Sequence, residues 1–239
     1  MIHLVICNVP HASTCIPEWA REDIAISAEK LNALSNFMID KDMDRMWEFV
    51  PPENKQIASV SRLIVDTERY RNDEDEPMSQ IGMGLYYTHT PEGEQFRLKA
   101  EGSYLRCLKI YDEYHKSLEN KVTECLEKYG KCIILDCHSF HDGMTYTGYD
   151  SATFPDVCIG VNGEVTPVAK LIMDTFKSSG YKVKINEPFA GSLVPLKYLN
   201  DNRVTSVMIE LNRRIYANDS FSKVQLLCKE IYGKINMLE

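Results

Sequence analysis

Two histidines stand directly behind apolar runs, where a chain leaves a buried strand and enters a turn. One run ends in NVPHAS, in which a proline breaks the strand just before His11. Another ends in LDCHSFHDG, which carries Asp136 and His138. Side chains alternate along a strand, so Asp136 and His138 lie on the same side, and the carboxylate can support a histidine that binds a metal. His11 and His138 are therefore candidate metal ligands.

A hydrolytic zinc site needs a third protein ligand. Two histidines plus a carboxylate are a common zinc set, and a fourth position left to water makes the site hydrolytic, because zinc lowers the pKa of that water to about 7. The run IDKDMDRMW offers Asp40, Asp42 and Asp44, and on a helix Asp40 and Asp44 share a face. The alternatives are histidines that are hydrogen-bonded in the core and an acidic run that forms a solvated helix face.

One carboxylate lies inside an otherwise apolar run near the end of the chain. The run VMIELNRRIY carries Glu210, and a carboxylate in such a segment needs a partner. Glu210 can take the proton from the attacking water and pass it to the leaving amine, as general base and then general acid. The alternative is an ion pair of Glu210 with Arg213 or Arg214.

Two arginines flank an aspartate where a further apolar run ends. In VSRLIVDTERYR, Arg62 and Arg69 lie on either side of Asp66. Arginine suits a substrate carboxylate because its planar donors match two carboxylate oxygens. The alternative is a structural ion pair between Arg62 and Asp66.

A metal-independent hydrolase is a competing hypothesis. Cys137 or Ser139, each close to a histidine in the sequence, would then act as the nucleophile. Neither residue lies in a nucleophile pattern such as GxSxG, which disfavours this hypothesis. Sensitivity of the activity to chelators separates the two mechanisms.

The elements that must position these residues can be read from hydrophobic patterns. Because strand-like runs alternate with helix-period segments, we predict an α/β fold with a mixed, mostly parallel sheet and helices on both faces. In such a sheet, ligands bind outside the carboxyl ends of the strands. The acid-, Gly- and Pro-rich segment 70–93 is predicted to be a long active-site loop or lid. The predicted strands are 3–9, 56–65, 131–139, 156–162, 181–186 and 205–211, and the predicted helices are 27–50, 94–129, 165–179 and 220–238.

Composition excludes several classes of partner. The 239 residues fit one domain, and 44% hydrophobic residues suffice for a sizeable core. A net charge of −8 without a basic stripe disfavours nucleic acid, and the apolar runs are too short to span a membrane. The eight cysteines are scattered singly without a CxxC pair, and no signal-peptide pattern opens the chain. We therefore expect a cytoplasmic protein with reduced cysteines.

Seven segments of the chain form an ordered set: NVPHASTCIP, DKDMDRMW, VSRLIVDTERY, EYHKSL, LDCHSFHD, INEPFAGSLVP and VMIELNRRIY. They follow one another in the order seen in N-formylglutamate amidohydrolases. The chain therefore resembles that family from the first strand to about Tyr216. The family is similar in fold to the zinc carboxypeptidases and the aspartoacylase group. The resemblance thus implies a single-domain, phosphorylase/hydrolase-like three-layer sandwich over 1–239, with one catalytic Zn²⁺ per chain.

The resemblance also implies roles for individual residues. The metal ligands of the family fall on His11, His138 and Asp40, with Asp44 as a substitute for Asp40. Its proton-shuttling glutamate falls on Glu210.

The substrate-binding segment of the family falls on Ser61, Arg62, Asp66 and Arg69, so that one or both arginines anchor the glutamate carboxylates. Arg214 is a further candidate substrate-binding residue.

Two departures from the family pattern concern the substrate. The family usually has Asn directly before the second arginine, where this chain has Glu68. It often has Gly-Gly where this chain has Gly191 and Ser192. The resemblance implies hydrolysis of N-formyl-L-glutamate to formate and L-glutamate, a step of histidine degradation. Another N-acyl amino acid, a carboxypeptidase-like reaction, or an inactive metal-binding member of the family are the alternatives.

Overall fold

The computed structural model describes residues 3–144, 148 and 150–238. One six-stranded sheet has the strand order β2-β1-β3-β6-β4-β5. The strands are β1 (Val5–Val9), β2 (Lys55–Ile57), β3 (Cys132–Phe140), β4 (Val157–Val161), β5 (Val183–Ile185) and β6 (Val204–Asn212). The helices are α1 (Glu18–Arg21), α2 (Ala28–Met38), α3 (Met43–Met46), α4 (Glu101–Tyr129), α5 (Pro167–Ser178) and α6 (Phe221–Asn236).

The chain forms two compact units. The first, which we call the sheet unit, consists of Met1–Val9, Asp42–Gln56 and Leu118–Glu239. The second, which we call the helix-loop unit, consists of Pro10–Lys41 and Ile57–Ser117. That the whole chain is one domain stays a prediction.

The sheet is mixed and mostly parallel, as predicted. Strand β3 pairs in parallel with β1 and β6, and β4 pairs in parallel with β5, whereas β4 and β6 are antiparallel. All nine residues of β3 are buried, because the strand has a neighbour on each side and lies in the interior. Helix α6 packs on β1, and α5 packs on β4, β5 and α6. The predicted α/β fold class is confirmed, and the architecture agrees with a hydrolase-like sandwich.

The helix-loop unit has two small apolar cores. One gathers residues such as Ile64, Val65 and Leu85, and the other gathers residues such as Leu63 and Met83. No helix in the described part of the chain combines the length and apolarity that crossing a bilayer requires.

The strand predicted over 56–65 is wrong beyond Ile57. Its remaining residues form buried turns, in which the Ser61 amide donates to the Cys15 carbonyl and the Ile64 amide donates to the Ser61 carbonyl. The run is apolar because its side chains fill the cores of the helix-loop unit, and these loop and turn hydrogen bonds take the place of a strand ladder.

The single helix predicted over 27–50 is also wrong. Helix α2 ends at Met38 because Ile39 is extended, with φ −73° and ψ 157°. Asp42 then adopts the left-handed conformation at φ 62° before α3 begins. Asp40 lies in this break, so Asp40 and Asp44 do not share a helix face.

Hydrogen bonds within the segment 70–93 stabilise its conformation. It contains a 3₁₀ turn, Pro77–Ile81, and a bridge between Met83 and Tyr87. The buried Glu76 accepts hydrogen bonds from the amides of Tyr70 and Met78, each at 2.9 Å. Its role as a lid stays a prediction.

Candidate active site

His11 lies between two carboxylates of the helix-loop unit. It is 3% exposed, with Nε2 2.9 Å from Oδ1 of Asp66 and Nδ1 3.6 Å from Oδ2 of Asp40. A neutral imidazole that donates from Nε2 to Asp66 offers a lone pair at Nδ1, on the side of Asp40. Burial and Arg62 oppose protonation of His11, but Asp66 and Asp40 together outweigh them and raise its pKa.

Asp66 is the centre of this cluster. It is fully buried and accepts from Nη2 of Arg62 at 2.8 Å, from the Tyr87 hydroxyl at 2.5 Å and from the Glu68 amide at 3.0 Å. Burial works against its charge, but Arg62, His11 and Arg69 hold the pKa of Asp66 well below its usual range. Asp66 is therefore ionised at neutral pH.

The two candidate arginines both face Asp66. The ion pair of Arg62 with Asp66, which the sequence left open as an alternative, is present. Arg69 donates from Nε to the Met83 carbonyl at 3.1 Å and from Nη2 to the Tyr87 hydroxyl at 3.2 Å. Its side chain is 21% exposed, against 12% for Arg62. Substrate binding by either arginine stays a prediction.

Asp40 and Asp44 differ in their surroundings. Asp40 is buried and its amide donates to the His11 carbonyl at 2.8 Å, so backbone and side chain both join it to the candidate ligand. Asp44 is exposed, and Asp42 pairs with Arg45 at 3.0 Å. These surroundings favour Asp40 as the third ligand.

In the sheet unit, Asp136 holds His138. Nε2 of His138 lies 3.1 Å from Oδ1 of Asp136, which also accepts from Nδ2 of Asn8 at 2.8 Å. The other oxygen of Asp136 accepts from the Leu193 amide at 2.9 Å. Burial disfavours the carboxylate, but His138 and the two donors outweigh it and lower the pKa of Asp136 to about 2. This is the contact that alternation along β3 predicted.

Glu210 lies beside His138 in the sheet. The two residues are register partners on the parallel strands β3 and β6, so their side chains leave the same face. Glu210 is 8% exposed.

Arg214 forms its ion pairs elsewhere. Its guanidinium contacts Asp142 at 2.6 Å and Asp156 at 3.0 Å, rather than Glu210. Its role in substrate binding stays a prediction.

The alternative nucleophiles are badly placed. Cys137 and Ser139 alternate with His138 along β3, so their side chains leave the face opposite to His138. Burial raises the pKa of the Cys137 thiol well above its ordinary value. Since the thiolate is the reactive form, the structure disfavours a cysteine hydrolase.

Three polar groups that hydrogen-bond Asp66 or Asp136, the carboxylates beside the two candidate histidines, were not predicted from the sequence. Asn8 could have been found from the sequence, because it is a polar residue inside the apolar run of β1, as Asp136 is in β3. Tyr87 and the Leu193 amide could not have been found in this way, since both act through contacts between distant parts of the chain.

The sheet, with His138 and Glu210 near the carboxyl ends of its strands, defines an α/β protein of hydrolase-like architecture. A family model described as FGase, N-formylglutamate amidohydrolase, matches residues 4–217. The chain therefore belongs to the N-formylglutamate amidohydrolase family, a family of amide-hydrolysing enzymes, and the predicted membership is confirmed.

Two solved structures share the fold. The N-formylglutamate amidohydrolase from Ralstonia eutropha JMP134 is 20% identical, with a TM-score of 0.82 over 98% of this chain and 93% of that chain. The gene product Atu2144 from Agrobacterium tumefaciens is 17% identical, with a TM-score of 0.72 over 97% and 88%. Among curated proteins, no sequence matches the chain.

Proposed function

We propose that the protein is a zinc-dependent enzyme that hydrolyses N-formyl-L-glutamate to formate and L-glutamate. The observation that carries the proposal is a repeated arrangement. His11 and His138 are both buried, and each has Nε2 within 3.1 Å of a buried carboxylate. Histidines that bind metals are generally held in this way, because the carboxylate fixes the ring and leaves the other nitrogen to the ion.

His11, Asp40 and His138 are the proposed ligands of one Zn²⁺ per chain. Nδ1 of His11 and Oδ2 of Asp40 lie 3.6 Å apart. Two ligand atoms of a tetrahedral zinc ion are separated by about 3.3 Å, so this pair of donors fits the ion. When bound, zinc supplies a Lewis acid that polarises the amide carbonyl and lowers the pKa of water.

Glu210 is the proposed proton carrier. Its carboxylate takes a proton from the attacking water and delivers it to the nitrogen of the leaving amine. Two features support this role: Glu210 is buried, and it is the register partner of His138 on the neighbouring strand.

Arg69 is the strongest candidate anchor for a substrate carboxylate. It is more exposed than Arg62, and its terminal nitrogen Nη2 is already oriented by Tyr87. Arg62 donates to Asp66, and Arg214 to Asp142 and Asp156. We therefore rank these two below Arg69 as substrate-binding residues.

A different N-acyl amino acid is the second candidate substrate. The observation that favours it is Glu68, directly before Arg69, because a negative charge there weakens the attraction for a second carboxylate. An inactive metal-binding protein would keep the ligands without turnover.

We further propose that the enzyme works in the cytoplasm, in histidine degradation. All eight cysteines lie in the described residues and none is in a disulfide, which supports a reducing compartment.

The substrate is tested by steady-state kinetics of the purified, zinc-loaded protein. We would compare N-formyl-L-glutamate with N-acetyl-L-glutamate and N-formyl-L-glutamine, and detect formate or acetate directly. The proposal expects the highest kcat/KM for N-formyl-L-glutamate. A higher kcat/KM for one of the others would replace the substrate and keep the reaction, whereas no hydrolysis of any N-acyl amino acid would refute the proposed activity.

A further inference from the structure

Tyr87 joins two residues of the helix-loop unit that have different proposed tasks. Tyr87 is 1% exposed, and its hydroxyl lies 2.5 Å from Oδ2 of Asp66 and 3.2 Å from Nη2 of Arg69. Asp66 contacts His11, a proposed metal ligand, and Arg69 is the proposed carboxylate anchor. The tyrosine hydroxyl is therefore a direct link between the two.

The direction of both hydrogen bonds is set by chemistry. A guanidinium only donates, and an ionised carboxylate only accepts. The hydroxyl therefore donates its single proton to Asp66 and accepts from Arg69. Burial raises the pKa of Tyr87 to about 12, so the hydroxyl keeps this proton at neutral pH.

The two partners depend on this hydroxyl to different degrees. Asp66 also accepts from Arg62 and from the Glu68 amide, and it contacts His11. Among the described residues, the Arg69 guanidinium has one other hydrogen bond, to the Met83 carbonyl, and a longer 3.8 Å contact with Asp66. Loss of the hydroxyl would therefore leave Asp66 held and would release the Nη2 end of Arg69.

We propose that Tyr87 is a positioning residue that orients the guanidinium of Arg69 toward the substrate carboxylate. This inference rests on the proposed function, in which Arg69 binds that carboxylate. Tyr87 does not touch the reacting atoms in this account. It acts on substrate affinity, because a guanidinium that is held in advance loses less conformational freedom on binding.

The test compares Tyr87→Phe with Tyr86→Phe in the zinc-loaded protein. Tyr86 is a matched control in the same unit, since it is 5% exposed and its hydroxyl contacts Asp23 and the Leu98 carbonyl. Each variant loses one buried hydroxyl, so a general loss of stability affects both. Three quantities are measured: KM and kcat for N-formyl-L-glutamate by steady-state kinetics, and the Kd of glutarate, a dicarboxylate without an amide, by titration calorimetry.

For Tyr87→Phe we expect KM and the Kd of glutarate to rise about tenfold, with kcat within about threefold of the wild type. Tyr86→Phe should leave all three near the wild-type values. Equal KM and Kd in the two variants, or a Tyr87→Phe effect confined to kcat, would overturn the positioning role.

The glutarate measurement separates this inference from the proposed function. If the wild type binds glutarate but releases no formate, the proposed substrate fails and the comparison of Kd values still decides the role of Tyr87. A wild type that does not bind glutarate overturns the positioning role, whatever the formate assay shows.

Discussion

His138 and Glu210 are register partners on two parallel strands at the centre of the sheet. Strand β3 carries the histidine and β6 carries the glutamate, and both side chains leave the same face. A proposed metal ligand and a proposed proton carrier are thus held side by side by a backbone ladder rather than by loops. Rigid elements give a site its most reliable geometry.

Glu210→Gln tests the proton transfer at this pair. The amide keeps the size of the side chain but cannot accept the proton, so kcat for N-formyl-L-glutamate should fall about 100- to 10,000-fold while bound zinc remains. The measurement is steady-state formate release with metal content determined on the same sample. Glu164→Gln is the control, because Glu164 is exposed. Unchanged turnover in Glu210→Gln would remove Glu210 from the mechanism.

Asp66→Asn tests the support of His11. The substitution removes the charge that fixes the Nε2 side of the ring, and the affinity for zinc should fall about 10- to 100-fold. The affinity is measured by competition with a chromogenic chelator. Asp23→Asn is a matched control, since Asp23 is also buried and lies 3.7 Å from Arg97 in the same unit. Equal zinc affinities in the two variants would show that Asp66 does not support a metal ligand.

Asp136 predicts a pH dependence of stability. Its folded-state pKa is lowered to about 2 from an ordinary 3.8, so the ionised form stabilises the fold by roughly 2 kcal/mol. This contribution is present above the unfolded pKa and is lost as pH falls from about 4 to about 2. Urea unfolding of the metal-free protein should therefore show a steeper loss of stability in this window for the wild type than for Asp136→Asn. Equal losses of stability in the two proteins would show that ionised Asp136 does not stabilise the fold.

Gly160 predicts a packing effect on the sheet. A Cβ atom there would lie 2.1 Å from the Gly191 carbonyl oxygen, so Gly160→Ala should destabilise the protein by about 1 to 3 kcal/mol. Gly233, inside α6, has open space around it, and Gly233→Ala should stabilise by about 0.5 to 1 kcal/mol. Thermal unfolding measures both, and a Tm for Gly160→Ala at or above the wild-type value would be inconsistent with this packing.

The sheet could be predicted because its strands are buried on both faces. Such strands are continuous apolar runs, and β3 and β6 lie within about one residue of the predicted bounds. The same signal failed over 56–65, because turns can bury an apolar run as well as a strand can. Helix periodicity failed at Asp40, because the extended Ile39 ends α2 and the left-handed Asp42 then precedes α3.

The site could be predicted in part, because only contacts between residues close in the sequence leave a recognisable pattern. Asp136 and His138 are two residues apart, so alternation along one strand brings them together. His11 and Asp66 are 55 residues apart, and only the folded helix-loop unit joins them. Their contact carries no local pattern, and the same holds for Tyr87 and Asp66.

We propose that this chain hydrolyses an amide with a metal held by its histidines. The most direct test measures zinc content and formate release from N-formyl-L-glutamate together, in the wild type before and after chelation and in His138→Ala. His141→Ala is the control, because His141 follows the same strand and its Nδ1 accepts from the Gly143 amide. We predict about one zinc per chain, turnover that disappears on chelation and returns with zinc, and neither property in His138→Ala. Full turnover by the chelated wild type, or by His138→Ala, would refute metal-dependent hydrolysis by this chain.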